Sequence, residues 1–169
     1  MKSNRFNIIR YSVLFVIVLC IFGIYHLKQS TKIAIQQAEI DMYPQVINLE
    51  ELKSYKKPTF INFGLSMCMA CRDTRKALEA VDVEKPNSFI YQIAEIDKHP
   101  DIASDFSFTA VPTQVIYNAD GTPYKPSEDA DIKIKHYYSE DNGEILYSYH
   151  EGPLTVEEVR IIVKDMGVE

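Results

Sequence analysis

Cysteine and glycine are scarce in this chain of 169 residues, and tryptophan is absent. Three cysteines cannot staple a disulfide-dense mini-protein, and the odd count leaves at least one thiol outside any intrachain pair. Six glycines and eight prolines exclude collagen-like or low-complexity character. A basic excess is missing too. Eighteen Lys and Arg stand against 24 Asp and Glu, a net charge of −6, which argues against a nucleic-acid partner. What remains is 46% hydrophobic and 25% charged, enough for a real core in one domain, with or without an appendage.

The charge is unevenly placed. Residues 1–28 contain Lys2, Arg5, Arg10 and Lys28 and none of the acidic residues, so the remainder carries a net charge of −10. Tyr11 to Leu27 reads YSVLFVIVLCIFGIYHL, with no Asp, Glu, Lys or Arg. As a helix it would span about 26 Å, close to the ~30 Å hydrocarbon thickness of a bilayer. The next residues, Lys28-Gln29-Ser30-Thr31-Lys32, lack a small-x-small cleavage site. Cys20 is preceded by Leu19, not by the small residue of a lipoprotein signal. The expectation is a basic segment over 1–10, an uncleaved transmembrane anchor over 11–27 and a stalk over 28–44. The basic flank sets the N-terminus in the cytoplasm and the acidic body outside. Secretion after cleavage is the alternative.

The body alternates strands and helices. Asn48-x-x-Glu51 is a capping-box pattern that starts a short helix through Tyr55. Thr59 to Phe63 is a short apolar run expected as a buried strand. From Cys68 to about Val81, Cys71, Thr74, Leu78 and Val81 recur at helical spacing. Phe89 to Ile96 is expected as a strand, 100–106 as a short helix opened by Pro100, Thr113 to Tyr117 as a strand, and Asn118-Ala119-Asp120-Gly121 as a turn. Residues 125–131 read as loop. Ile132 to Tyr138 and Glu144 to His150 read as strand and strand around a turn. Thr155-Val156-Glu157-Glu158 is a second capping box, with Val156, Val159, Val163 and Met166 on one stripe. The sum is an α/β domain with a mixed sheet and helices in three layers.

The chemistry lies in Cys68-Met69-Ala70-Cys71. Positions i and i+3 share one helix face, so the two thiols can close a small disulfide ring. Between a strand and a helix, Cys68 sits at the helix N-terminus, where backbone N–H groups and the helix dipole favour a thiolate. Cys71, one turn in, is more shielded and acts second. A zinc site needs four ligands. The body has no other cysteine, and His99, His136 and His150 are scattered without a pair at ligand spacing. No metal and no cofactor beyond the redox disulfide is expected, with metal delivery as the alternative. Val111-Pro112-Thr113 lies directly before a strand, where a proline without a donor belongs.

Thr59-Phe60-Ile61-Asn62-Phe63 before Cys68-Met69-Ala70-Cys71-Arg72, Glu95-Ile96-Asp97 ending the next strand, Ala110-Val111-Pro112-Thr113, the Asp120-Gly121 turn and the late Gly152 together resemble the thioredoxin family. The resemblance covers roughly 45–168. It implies a thioredoxin fold and a protein thiol–disulfide oxidoreductase, with Cys68 attacking and Cys71 resolving. It implies a cis Pro112 facing the pair, and a substrate groove at Val111, Pro112 and Met67. Met69 and Ala70 replace the family's Gly-Pro and tune the pair. Met67 stands in place of a tryptophan. Asn62 occupies the position of a buried aspartate and cannot take a proton, and Ile93 matches the lysine associated with it. Glu95 is either a nearby base or a solvated strand residue. About twenty extra residues, 123–145, form an insertion, and Tyr137, Tyr138, Tyr147 and Tyr149 crowd the region around it, as sheet packing or as a docking surface. The resemblance is nearest to anchored bacterial proteins that receive electrons from membrane carriers of the cytochrome-c-biogenesis type. That implies a reductase working on protein disulfides outside the membrane. A disulfide-forming oxidase and a redox-inactive, chaperone-like binding module are the alternatives.

Overall fold

The computed structural model describes residues 40–169 together with Ile17, Leu19, Ile21 and Phe22. The chain divides into two units, Met1–Ile40 and Asp41–Glu169. In the first, those four described residues are helical and exposed. The expected basic segment, membrane span and stalk otherwise lie outside the described residues up to Ile40. Among the described residues no helix is long and apolar enough to cross a membrane.

The second unit is built on a five-stranded mixed sheet. Its elements are α1 (Leu49–Ser54), β1 (Thr59–Gly64), α2 (Met69–Glu84), β2 (Ile90–Glu95), a 3-10 turn (Pro100–Ala103), β3 (Thr113–Tyr117), β4 (Lys135–Tyr138), β5 (Ile145–Glu151) and α3 (Val156–Asp165). The strand order is β2-β1-β3-β5-β4. Only β1 and β2 run parallel, and β1–β3, β3–β5 and β5–β4 are antiparallel. β1 is paired along both sides, and every one of its residues is buried, which is why it reads as an apolar run rather than an alternating one.

Strand alternation sorts the core into two faces. Phe60 on β1, Tyr91 and Ile93 on β2 and Ile116 on β3 pack with Leu78 and Val81 of α2 and Val159, Ile162 and Val163 of α3. The opposite face is thinner. Phe63 meets Phe106 at 4.9 Å and Phe108 at 5.1 Å between ring centres, and Leu52 of α1 lines a small hollow with Thr59 and Tyr117. The third layer is therefore a six-residue helix and aromatic loop residues. The short helix expected over 100–106 contracts to a 3-10 turn, and the chain leaves it in time for Phe106 and Phe108 to reach Phe63.

The caps are local. Thr155 and Glu158 make the reciprocal capping box at the start of α3. At α1 only half of the expected box forms. Asn48 Oδ1 accepts from Glu51 N–H at 3.1 Å, and Glu51 answers with a bond to the Asn48 side chain rather than its backbone. Residues 41–44 belong to this unit. Ile93 N–H donates to Met42 C=O at 2.7 Å and covers the open edge of β2.

The insertion does two things. Tyr124 is fully buried and its hydroxyl donates to Asp165 at 2.7 Å, tying the loop to the end of α3. Further on, the expected strand 132–138 pairs only from Lys135. Lys133 C=O is taken by the His150 ring at 3.0 Å, which stops the ladder, and Ile132 and Ile134 lie against the core instead. Tyr137 stacks on Tyr147 at 4.9 Å and Tyr147 packs on Tyr149 and Phe106. The Tyr137–Tyr147 pair is cross-strand sheet packing. Tyr138 is left half exposed.

Candidate functional site

The site begins where β1 ends. Gly64 closes the strand, a short loop comes next, and Cys68 is the N-cap of α2 with extended backbone. The Cys68 Sγ accepts the Cys71 N–H at 3.1 Å. This is the place of a Ser or Asp cap, occupied by sulfur. Cys68 and Cys71 are joined as a disulfide with Cα atoms 5.2 Å apart. Cys68 is partly exposed, whereas Cys71 is buried at 6%. An incoming sulfur therefore reaches Cys68 first.

Gly64 is a site residue that sequence reasoning missed. A Cβ built there would stand 2.9 Å from the Cys71 Cβ and 3.1 Å from its Sγ. Any side chain at 64 would push the first turn of α2 away from the sheet. The signal available was a glycine at the end of an otherwise apolar strand, where it packs nothing of its own.

Asn62 is buried at 1% and accepts from Gln114 Nε2 at 2.9 Å across the β1–β3 ladder. Its Nδ2 and the Gln114 Oε1 have no hydrogen-bond partner among the described residues. Asn62 lines a cavity of about 20 Å³ with Gly64, Cys68, Cys71, Ile93 and Glu95, room for about one water. Arg72 and Arg75 line it from α2. Met69 and Ala70, the residues between the cysteines, differ in exposure: Met69 is open to solvent and Ala70 half-buried. Met67 is 95% exposed.

The proline half of the site is assembled by β3 and β5. The Val111–Pro112 bond is cis. Phe63 lies opposite Thr113, so Pro112 falls at the level of Gly64, at the end of the sheet that carries the cysteines. Pro112 C=O accepts from Gly152 N–H at 2.8 Å. Gly152 has φ +114°, a conformation that glycine adopts without strain. Val111 is half-buried.

Two carboxylates hold the loops, a role that the sequence did not reveal for either. Asp97 accepts from Ser66 N–H at 3.0 Å and from the Ser66 hydroxyl. Those bonds, the hydroxyl first, keep its carboxyl below the usual range. Glu151 accepts from Thr109 N–H at 2.8 Å and Thr109 Oγ1 at 3.0 Å, and pairs with Lys135 of the inserted strand. The Lys135 ammonium first, then the Thr109 donors, push it down to about 2. Among the described residues no group of three or more His, Cys, Asp or Glu is placed to hold a metal ion.

A mixed sheet with a bridged Cys-x-x-Cys at a strand-to-helix junction and a cis proline at the same sheet end defines the thioredoxin fold. A mutant thioredoxin of Halobacterium salinarum NRC-1 superposes on the chain with a TM-score of 0.53 at 15% identity, covering 76% of this chain and 91% of that one. The thioredoxin of Fasciola hepatica gives 0.47 at 20% identity, over 69% and 90%. In sequence, the chain is 31% identical over 70 residues to thioredoxin H2 of Arabidopsis thaliana. That stretch is 41% of this chain and 52% of that protein, so the chain spans about half the length of this curated relative. No family model matches the chain.

Proposed function

We propose that this protein is a thiol–disulfide oxidoreductase acting on protein disulfides through Cys68 and Cys71. The observation that carries the reading is the Cys68 sulfur at the N-cap of α2, receiving the Cys71 N–H and bridged to that buried second cysteine. The helix end favours the thiolate of Cys68 once the pair is reduced. In the forward step the Cys68 thiolate attacks one sulfur of a substrate disulfide. A mixed disulfide forms, and one substrate thiolate leaves. Cys71 then attacks Cys68, the mixed disulfide breaks, and the second substrate thiolate leaves. Two electrons pass from the pair to the substrate. The cis Pro112, Val111 and the exposed Met67 form the groove in which the substrate chain lies, and Met69 and Ala70 set the potential. In that direction the pair ends the cycle bridged.

The finer reading is a reductase anchored by residues 11–27, with its N-terminus in the cytoplasm and Asp41–Glu169 outside the membrane. A membrane electron carrier of the cytochrome-c-biogenesis type recharges it. The charge-free run 11–27 and its basic flank support the anchor.

Reduction of insulin by dithiothreitol tests the activity. Acceleration by the intact protein and its loss in Cys68→Ala are expected. No acceleration, or an undiminished Cys68→Ala variant, overturns the reading. The equilibrium potential of the pair tests the direction: a value near about −270 mV fits a reductase, and one near about −120 mV fits an oxidase instead. Labelling of Cys68 in intact cells by a membrane-impermeant thiol reagent tests the location.

A further inference from the structure

The attack of Cys71 on Cys68 needs a Cys71 thiolate, and the structure restricts where its proton can go. Cys71 is buried, so bulk water does not reach its sulfur freely. Its neighbour in the strand, Asn62, carries an amide that cannot accept a proton. The helix N-cap position that favours a thiolate belongs to Cys68.

Glu95 is placed to take this proton. It is the last residue of β2 and lies opposite Gly64 in the parallel ladder, on the face toward which Gly64 would project a side chain. That face is the one occupied by Cys71. With no side chain at 64, the space between Cys71 and Glu95 stays open, and both residues line the same cavity of about 20 Å³. The Glu95 side chain is only 17% exposed. Asn62 lines the cavity as well, with its Nδ2 donor unpartnered at 1% exposure. The charged and titratable groups around Glu95 are Lys98, paired with it at 2.6 Å, His99 from the same turn, Arg72 and Arg75 from α2, and Tyr43 from the segment before α1.

We infer that Glu95 is the general base of the resolving step. Its carboxylate takes the proton of the Cys71 thiol, directly or through one water held by Asn62 Nδ2. The Cys71 sulfur forms its bond to Cys68, the bond from Cys68 to the substrate sulfur breaks, and the substrate leaves as a thiolate. Glu95 later gives the proton to solvent. Asn62 is a positioning residue. The inference rests on the order of attack proposed above.

The test records both steps in one trace, in the full-length chain with Cys20→Ser so that only the pair reacts. Reduced protein is mixed with 5,5′-dithiobis(2-nitrobenzoate). Attack by Cys68 releases one thionitrobenzoate, and attack by Cys71 releases the second. The parent protein is expected to show a second release nearly independent of pH from about 6 to 8. In Glu95→Gln that release, taken relative to the first, falls about tenfold per pH unit below the ordinary thiol pKa of about 8.5. Glu95→Asp restores the flat profile at a reduced rate. Lys98→Met, which removes the ion pair and keeps the carboxylate, also stays flat. A Glu95→Gln profile like the parent's overturns the inference, as does Lys98→Met behaving like Glu95→Gln. Cys68→Ser separates the two levels. Its first release must be far slower than the parent's, and a first release as fast as the parent's would refute the order of attack itself.

Discussion

The loop that carries the cysteines and the loop that leads into the proline are each anchored by one carboxylate on a Ser or Thr, yet they are held very differently. On the cysteine side, Asp97 takes the N–H and hydroxyl of Ser66, and the next residue, Met67, stands in solvent. On the proline side, Glu151 takes the same two groups of Thr109 and is itself paired with Lys135. Tyr147 also bonds both backbone groups of Ser107, and Gly152 N–H holds Pro112 C=O. The proline loop is thus bolted to β5 and its end at three levels, whereas the cysteine loop, past the Ile96 N–H bond to Gly64 C=O, is tied to the end of β2 through Asp97. In the proposed reaction the disulfide that opens and closes sits in the sparsely held loop, while the surface proposed for a substrate chain is fixed. The inserted strand has a part in this, since it supplies Lys135.

The largest effect expected concerns the one place where the cysteine side is tight. Gly64→Ala puts a methyl 2.9 Å from the Cys71 Cβ, and the first turn of α2 must give way. Overpacking of this kind costs about 1–3 kcal/mol, read as a lowered urea midpoint at unchanged slope. An unchanged midpoint would show that the helix can retreat freely, and the contrast between the two loops would then be greater than described.

Next comes the bolt on the proline side. Glu151→Gln keeps the shape and loses the ion pair with Lys135. It is expected to lower stability by about 1 kcal/mol, discounted for partial exposure. The carboxyl is pushed from its ordinary 4.5 down to about 2 by folding. A depressed folded value means that the stabilisation is present above about pH 4.5 and is lost as the pH falls through about 2. Urea midpoints of the parent should therefore decline across that window more steeply than those of Glu151→Gln. Parallel curves would remove Glu151 from the account.

Lys135→Met sharpens the same comparison at lower amplitude. It leaves Thr109 on Glu151 and removes the charge contributed by the insertion. An ion pair with one member open to water contributes little to folding, so global stability should hardly move. The Glu151 carboxyl, followed by NMR, should titrate higher than about 2 and nearer its ordinary value. If it does not move, the insertion has no part in holding the proline loop.

Most of the fold could be read from patterns a few residues long. The buried run Thr59–Phe63, the helical stripe through Leu78 and Val81 and the Thr155–Glu158 box are local signals, and each element formed close to its expected bounds. The strand-to-helix setting of Cys68 was legible for the same reason. What escaped depends on distant partners. Asp97 meets Ser66 across 31 residues and Glu151 meets Thr109 across 42, and no local pattern marks either. The strand expected from Ile132 shortened because a side chain of β5 intercepted the Lys133 carbonyl. Glu95 stood open between a base and a solvated residue. Only the register opposite Gly64 and the shared cavity favour the first.

The smallest effect belongs to Asp97→Asn. The amide oxygen can still accept from Ser66 N–H, and the hydroxyl of Ser66 can turn to accept from the new amide. The net loss is the charge alone, on an exposed side chain, so no change in the urea midpoint is expected. The loop should nevertheless open more often. Amide exchange of Ser66 should quicken several-fold while that of Thr109 stays as it was, because local opening is governed by the bonds of each loop and not by global stability. If both amides quicken together, the two loops open as one unit, and their difference in anchoring does not separate them in motion. If neither changes, Ser66 is held by the geometry of the strand end, and the carboxylate of Asp97 is incidental to the cysteine loop.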